Sequence, residues 1–530
     1  MQITPIVKVE DISIHEILDG VEIAKIKRGQ KYPHDRQTDE RYYYLDMITS
    51  FDIETSKEKY GPGVTEWRSW MYIWQWQFGE RFTVIGRTWD EFINLVDLIN
   101  SYLPEDVRLL CYVHNLAYEF QFISGVWDFK NEDIFATDVR SPLYCRMGKI
   151  ELRCSYMLSN YGLAKWAEEC KTDHQKLVGN LDYNIVRYPW TEITPDELAY
   201  CVNDVICVVE CVTEMLRSYG DTVYSIPYTS TGYVRRRVRA AMTMWSPNAV
   251  KQMCGDLRTY DRLREAFRGG NSHANRWWVC DLLGDVFSYD RSSSYPDVIC
   301  HCKFPMSRFK DQHPDPDTLQ RLLNSGKAVL LKASFVNIRL KSERIGLPYI
   351  PLDKCIENGF HHPVNPRLDN GRILSADYLE ITITDIDLEI IQRQYDWQGE
   401  IGIEWMMAAR YGYLPRPLVD VAISLYKAKT ALKGIKGQES VYNHSKAELN
   451  SIYGMMVQRV ITNPIVYVNG EWGIGFFDRS KEYAEAIQHA YVAYQWGVWV
   501  TAWARYRLQE GVEIADKLYP DCRLSRFRLC

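Results

Sequence analysis

The nine residues Met47-Ile48-Thr49-Ser50-Phe51-Asp52-Ile53-Glu54-Thr55 constrain the fold more than any other stretch, because they read as a strand and yet carry two acids. Period-2 alternation sends Asp52 and Glu54 to the same face of that strand. Two like charges on one face repel unless a cation sits between them. A fold that accepts this strand either leaves the face in water, as at an exposed edge, or builds a cation site over it.

Residues 67–82 continue with alternating aromatics and a hairpin, and residues 89–99 have helical spacing. In residues 112–120 a strand gives way to a polar turn, with Glu119 four positions after Asn115. Residues 191–217 predict a helix with Pro195 in its first turn. Tyr200 and Asp204 stand at i and i+4, on one helix face. Residues 1–46 carry only the clusters Lys25-Ile26-Lys27-Arg28 and Tyr42-Tyr43-Tyr44, to which no chemistry is assigned.

Two further stretches are built for phosphates. Ser288-Tyr289-Asp290-Arg291-Ser292-Ser293-Ser294-Tyr295-Pro296 sets Asp290 at the end of an expected strand, before a tight polar turn stopped by Pro296. A carboxylate held so rigidly suits a Mg²⁺ ligand, although an Asp before a Ser-rich turn also makes ordinary local hydrogen bonds. In Lys446-Ala447-Glu448-Leu449-Asn450-Ser451-Ile452-Tyr453-Gly454, Lys446, Asn450 and Tyr453 fall at i, i+4 and i+7 of an expected helix. A cation, an amide and a ring in one row match a nucleoside triphosphate. Gly454 is expected to end the helix or to let a template base approach; a solvated helix face is the plainer reading.

Together these stretches resemble motifs A (DxxSLYP) and B (KxxxNSxYG) of family B DNA polymerases, most closely the protein-primed branch of bacteriophages and linear plasmids, from about residue 50 to about 515. Ser294 stands where that family has Leu. Asp52 with Glu54, Asn115 with Glu119, and Tyr200 with Asp204 resemble its three exonuclease motifs, with Glu119 in place of the family's Asp. The resemblance implies an α/β and α+β multidomain fold: an RNase H-like 3′-5′ exonuclease domain followed by palm and fingers with two insertions. The implied boundaries are an N-terminal extension at 1–46, the exonuclease at 47–225, a linker region at 226–286, and palm and fingers at 287–530. Within the last, the insertions lie at about 335–400 and 457–497 and the fingers at about 415–456.

The same resemblance implies the roles. Asp52, Glu54, Asp204 and Asp290 ligate Mg²⁺ (or Mn²⁺) in two-metal sites, with Glu119 a further exonuclease acid and Tyr200 orienting water. Asn115 and Tyr118 face the 3′ end of a single strand, with core packing as the alternative for Tyr118. Ser293, Tyr295, Lys446, Asn450, Tyr453 and Gly454 serve the nucleotide, with Tyr295 rejecting a 2′-hydroxyl. Phe267-Arg268-Gly269-Gly270 resembles the YxGG linker, so Phe267, Gly269 and Gly270 are DNA contacts, and so are Lys427 and Lys433, which with Lys429 read equally as solvated lysines. Implied partners are primer-template DNA, deoxynucleotides and a terminal priming protein.

The net charge of −6 weighs a little against a generic polyanion binder without excluding a polymerase, whose DNA tracks are only locally basic, and 46% hydrophobic with 25% charged residues reads as a soluble globular protein. Fourteen scattered cysteines without a CxxC pair read as reduced thiols. No signal peptide or membrane-spanning run is read, so host cytoplasm is the expected location. The family continues into motif C (YxDTDS), a KxY motif and a thumb; here residues 521–530 have no acidic pair and no strand alternation. Two-metal nucleotidyl transfer needs a second fixed carboxylate to keep the ions roughly 3.5–4 Å apart. The expectation is therefore a truncated, frameshifted or split polymerase whose DNA synthesis is incomplete. The alternatives are a stand-alone exonuclease, and a non-catalytic DNA-binding remnant or subunit that needs a second chain for motif C and thumb.

Overall fold

The computed structural model describes the chain apart from residues 1–4, 29, 31–32, 34–39, 62–64, 178–181, 183, 247, 275–279, 281, 283, 285, 343–347, 358–359, 362, 437–438, 519–525 and 529–530. Gly437 of the loop before motif B and most of the stretch 521–530 lie outside the described residues. Two compact units emerge: Met1–Tyr233 with Asn463–Phe477, and Val234–Thr462 with Asp478–Cys530.

The first unit is built on eight strands: β1 (Ile6–Lys8), β2 (Tyr43–Lys59), β3 (Trp67–Phe78), β4 (Phe82–Gly86), β5 (Val107–Val113), β6 (Ile134–Asp138), β7 (Ser141–Met147) and β8 (Ile150–Cys154). They lie in the order β1-β4-β3-β2-β5-β8-β7-β6. The sheet is mixed: β2 runs parallel to β5 and antiparallel to β3. Alternation gives it two covered faces. Phe51, Leu109, Cys111 and Val113 enter the core under the helix Trp89–Tyr102, whose Phe92, Leu95, Val96 and Ile99 repeat at helical spacing. Ile48, Leu110 and Tyr112 enter the opposite core, under the helices Leu163–Cys170 and Pro195–Tyr219. Asp52 and Glu54 share the parity of Ile48 and therefore the face of that long helix.

That helix starts at Pro195, four residues later than the sequence pattern suggested. Thr194 and Glu197 form a reciprocal capping box and Pro195 takes the first helical position, where its missing N–H costs nothing. A left-handed Gly220 closes it.

The second unit is organised on antiparallel strands Lys327–Leu340, Arg372–Thr384 and Tyr395–Gly412, edged by Phe304–Pro305, Lys310–Gln312 and Arg367–Asp369. Val329, Leu331 and Phe335 face one core while Ala328 and Leu330 face another, where the helix Tyr494–Leu518 buries Trp496 and Trp499. The helix Asp385–Gln394, for which the sequence offers Asp385 as the cap, is capped instead by Thr384 and Asp387. Thr384 has the extended backbone a cap requires. The Asp385 carboxylate instead accepts from the Val329 amide and the Tyr411 hydroxyl. Residues 352–372, whose Pro, Asn, Asp and Gly content reads in the sequence as loop, hold a 3₁₀ turn and three short strands. Arg526–Arg528, read as having no strand, pairs antiparallel with Ser272–Ala274 through main-chain groups that need no side-chain alternation.

The interval 415–456, expected as fingers, holds the helices Arg416–Leu432 and Glu439–Met456. Asn469-Gly470, a dipeptide whose sequence signals a hairpin turn, joins Ile465–Val468 to Glu471–Ile474, with both turn residues at positive φ. It belongs to the first unit, where Tyr467 and Trp472 pack on Phe120 and the Tyr467 amide bonds Asn131. Among the described residues no helix is long and apolar enough to cross a membrane, and the described cysteines are free thiols.

Candidate functional site: a buried carboxylate cluster and a stacked tyrosine pair

In the first unit, β2 and the helix Pro195–Tyr219 bring Asp52, Glu54 and Asp204 together, with one carboxylate oxygen of each within 4.8 Å of the others. Oxygens bound to one Mg²⁺ at ~2.1 Å lie up to roughly 4.2 Å apart, a small side-chain adjustment away. Glu54 and Asp204 are buried, and Asp204 Oδ1 has no hydrogen-bond partner. Glu119 enters from the helix Leu116–Ile123; it is buried and hydrogen-bonded with Asp52, while its Oε2 has no partner. Asn115 turns the chain from β5 into that helix at φ 75°, which Asn tolerates. Such orphaned acceptor oxygens are what a cation satisfies, so the donor set fits a hard divalent ion.

The electrostatics agree. Burial and then the charge of Asp204 push the Asp52 carboxyl up to about 7, and burial followed by Asp52 and Asp204 push Glu54 up to about 8. Glu119 is raised by burial and by Asp52. Without a cation these acids cannot all ionise near neutrality.

Sequence reading missed Lys176. Its ammonium pairs with Asp204 Oδ2 and lies 5.3 Å from the centroid of the buried Tyr200 ring. Its loop is pinned to the long helix by His174 on Glu210 at 2.6 Å and by Asn203 donating to the Gln175 carbonyl at 2.7 Å. No periodicity marks such a loop lysine. His114 was also missed: it bonds Ser155 at 3.0 Å, stacks on Trp166, and is held neutral by burial, its pKa pushed down to about 4. Ser50, Asp52, His114, Leu163, Lys176 and Asp204 line a cavity of about 100 Å³, roomy enough for an ion and water. Tyr118 is exposed, its hydroxyl hydrogen-bonded with Thr55.

In the second unit the two phosphate-type stretches meet through rings. Tyr295 stacks on Tyr453 with centroids 4.3 Å apart, and Lys429 Nζ donates to Ser293 Oγ at 3.0 Å. Asp290 departs from expectation: residues 286–290 join no ladder, and Asp290 is exposed. A strand exists only against a partner strand, and these residues have none among those described. Pro296 does not stop the chain either. It occupies the first turn of the helix Ser294–His301, where its absent N–H is tolerated.

Gly454 lies inside the Glu439–Met456 helix, not at its end, and a Cβ there would meet open space. Lys446, Asn450, Lys427 and Lys433 are exposed. Phe267 packs edge-on against Tyr494, while Gly269 and Gly270 are exposed.

These features define a multidomain protein of the exonuclease-plus-polymerase fold class, an acid-bearing mixed sheet followed by an antiparallel sheet with a finger-like helix pair. Residues 135–505 match the family described as DNA polymerase type B, organellar and viral, and the chain belongs to that family. It is 23% identical over 338 residues to the DNA polymerase of Bacillus phage Nf, covering 62% of this chain and 52% of the relative. It is 21% identical over 493 residues to that of Bacillus phage phi29, covering 86% and 75%. The chain thus spans about half the length of the Nf protein. The fold is that of phi29 DNA polymerase solved with primer-template DNA and incoming nucleotide (TM-score 0.65, 18% identity, 91% of this chain and 79% of that one) and with single-stranded DNA (TM-score 0.65).

Proposed function

We propose that the protein is a DNA-directed DNA polymerase of the protein-primed type, and that its first unit is a 3′-5′ proofreading exonuclease. The observation that carries the exonuclease is the convergence of Asp52, Glu54 and Asp204 from two elements onto one point. Asp52, Glu54 and Asp204 would hold Mg²⁺ or Mn²⁺, which when bound supplies an activated water and neutralises charge developing on the scissile phosphate. Lys176 orients Asp204 and offsets part of the burial that raises its carboxyl, and Glu119 is hydrogen-bonded with Asp52. His114 stays an uncharged wall, so the cavity keeps its acids free for cations. Asn115 and Tyr118 would receive the unpaired 3′ end.

In the second unit the Tyr295–Tyr453 stack would form the floor under an incoming deoxynucleotide, with Lys446 and Asn450 reaching its phosphates and sugar. Asp290 would ligate metal there. The described residues gather no group of three ligating side chains around it, so the hydrolytic site is the one the geometry supports best. A stand-alone exonuclease is the second reading, favoured by that same contrast. A terminal protein is the partner this reading implies.

The test mixes the purified chain with a labelled primer-template and Mg²⁺, with and without deoxynucleotides, beside an Asp52→Ala/Glu54→Ala variant. Primer shortening that vanishes in the variant is expected. Undiminished shortening in the variant would end the exonuclease assignment, and primer extension with deoxynucleotides separates the polymerase from the stand-alone nuclease.

A further inference from the structure

In the first unit a ladder of three rings stands at the end of β2 beyond the carboxylate cluster, and neither site above uses it. Trp70 and Tyr188 stack with centroids 5.1 Å apart and planes 4° from parallel, and Tyr188 and Trp190 repeat this at 5.0 Å and 2°. Trp70 is half-buried and packs against the apolar cluster that holds Tyr200, as does Leu177, the neighbour of Lys176. The far ring, Trp190, is 80% exposed and among the described residues stacks on Tyr188 alone.

Polar bonds fix this ladder to the acid-bearing strand. Trp70 lies opposite Ser56, two residues beyond Glu54 on β2. The Ser56 hydroxyl accepts from the Arg187 amide at 2.9 Å, and the Arg187 carbonyl accepts from Trp70 Nε1 at 2.8 Å. The Tyr188 hydroxyl donates to Glu58 at 3.0 Å, its amide donates to Thr191 Oγ1 at 2.9 Å, and its carbonyl accepts from Arg87 at 3.0 Å. Packing does not account for the outer ring, because an indole left in water contributes little hydrophobic stabilisation. It is the open end of a rigid parallel stack. The same strand end carries Lys57 and Lys59, whose ammonium groups lie 5.4 and 5.6 Å from the centroid of the Trp67 ring and pair with no acid among the described residues.

We propose that Trp190 is a stacking platform for one unpaired base of a single DNA strand whose 3′ end lies at the carboxylate cluster. This deepens the exonuclease reading, from which the identity of the ligand follows. A duplex base has both faces covered by its neighbours, so only an unpaired base can extend the ladder, and every base offers a π-face, which makes the contact tolerant of sequence. Two strand residues and two ring steps separate Glu54 from Trp190, so the base held there is upstream of the nucleotide being cleaved. Lys57 and Lys59 supply cations for the strand's phosphates.

The test is anisotropy of a 5′-labelled oligodeoxythymidine in which one abasic position is walked back from the 3′ end. It is measured with EDTA in the Asp52→Asn/Glu54→Gln background, where nothing is cleaved. One position, counted from the 3′ end, should weaken affinity by about tenfold, within the range of a single base–aromatic stack. Adding Trp190→Ala should weaken the intact strand by the same factor and silence that position, while Trp190→Phe should keep most of both. Because Trp190 is exposed, its removal leaves the Tm unchanged. Affinity for the intact strand unaltered by Trp190→Ala, a position that still registers in that variant, or a loss spread evenly along the strand overturns the proposal. Primer shortening by the native chain in Mg²⁺ is read separately. Shortening without a Trp190-dependent position overturns the platform alone; a Trp190-dependent position without shortening supports the platform and overturns the exonuclease reading alone.

Discussion

Binding of Mg²⁺ to the Asp52–Glu54–Asp204 cluster should be steeply pH-dependent, and the structure sets how steeply. Asp52 titrates at about 7 and Glu54 at about 8. Both are raised acids, so the native chain holds protons there that the unfolded chain has released. Apo stability therefore falls as pH rises from the ordinary carboxylate range near 4 through 7 and 8. An ion reverses this, because it binds only after displacing those protons. At pH 6 the two displacements cost about 4 kcal/mol; at pH 8.5 they cost almost nothing, so affinity should rise about a thousandfold between those values. Calorimetric Mg²⁺ titrations in buffers of different ionisation enthalpy would read between one and two protons released per site at pH 6.5, and well under one at pH 8.5. The Asp52→Asn/Glu54→Gln variant should lose both the binding and the proton release. Affinity flat across this range, in a native chain whose binding that variant abolishes, would refute the claim that burial and mutual repulsion keep these acids protonated until a cation arrives.

Three other outcomes rest on individual contacts. Lys176→Met removes the cation paired with Asp204, so Mg²⁺ affinity near pH 7 should drop by about 1–3 kcal/mol, one charged hydrogen bond's worth, while far-UV dichroism stays native. Arg505→Gln breaks a fully buried ion pair with Asp387 and should cost about 3–5 kcal/mol, lowering the Tm of the second unit by roughly 5–10 °C. Because the Asp387 carboxyl is held at about 2, that penalty should shrink as pH falls from about 4 toward 2, the window in which the native pair itself is lost; a penalty constant with pH would count against the ion pair as its source. Trp472→Ala removes the ring contacts with Phe120 and Tyr467 at about 1–3 kcal/mol locally, which hydrogen exchange should read as faster opening of 463–477 with the Phe51–Trp74 core unchanged.

Much of the first unit was legible because its information is local. Asp52 and Glu54 sit two apart on a strand, Tyr200 and Asp204 four apart on a helix with a capping box, and Asn469-Gly470 spells its own turn. Each pattern needs only a period and a cap. That Asp204 would lie within reach of Asp52 and Glu54 was carried by the family resemblance alone, since no local period spans some 150 residues. Lys176 and His114 were invisible for the same reason in sharper form: one sits in an aperiodic loop placed by Glu210 and Asn203, the other takes its character from being buried against Trp166. Arg505 carries no sequence signal of its own, and only the tertiary fold turns it inward onto Asp387 and the Arg268 carbonyl.

Asp52 and Asp290, two of the four acids expected to ligate metal, differ in how the fold holds them. Asp52 lies in a strand paired on both edges, to β3 at Gln75 and to β5 nearby, and Gln75 donates to its Oδ2 at 2.9 Å. Its position is therefore fixed by neighbours that the period-2 pattern itself recruits. Asp290 was assigned rigidity from the turn after it, yet a turn fixes only the residues downstream of it. Ser293 adopts the left-handed conformation and launches the helix Ser294–His301, while Asp290 upstream stays in open chain. Rigidity in a carboxylate ligand comes from ladder partners on either side, which a sequence motif does not contain. A strand paired alongside residues 286–290 would confer on Asp290 what β3 and β5 confer on Asp52, and metal-dependent protection of the 286–290 amides from hydrogen exchange would appear only when such a partner is supplied.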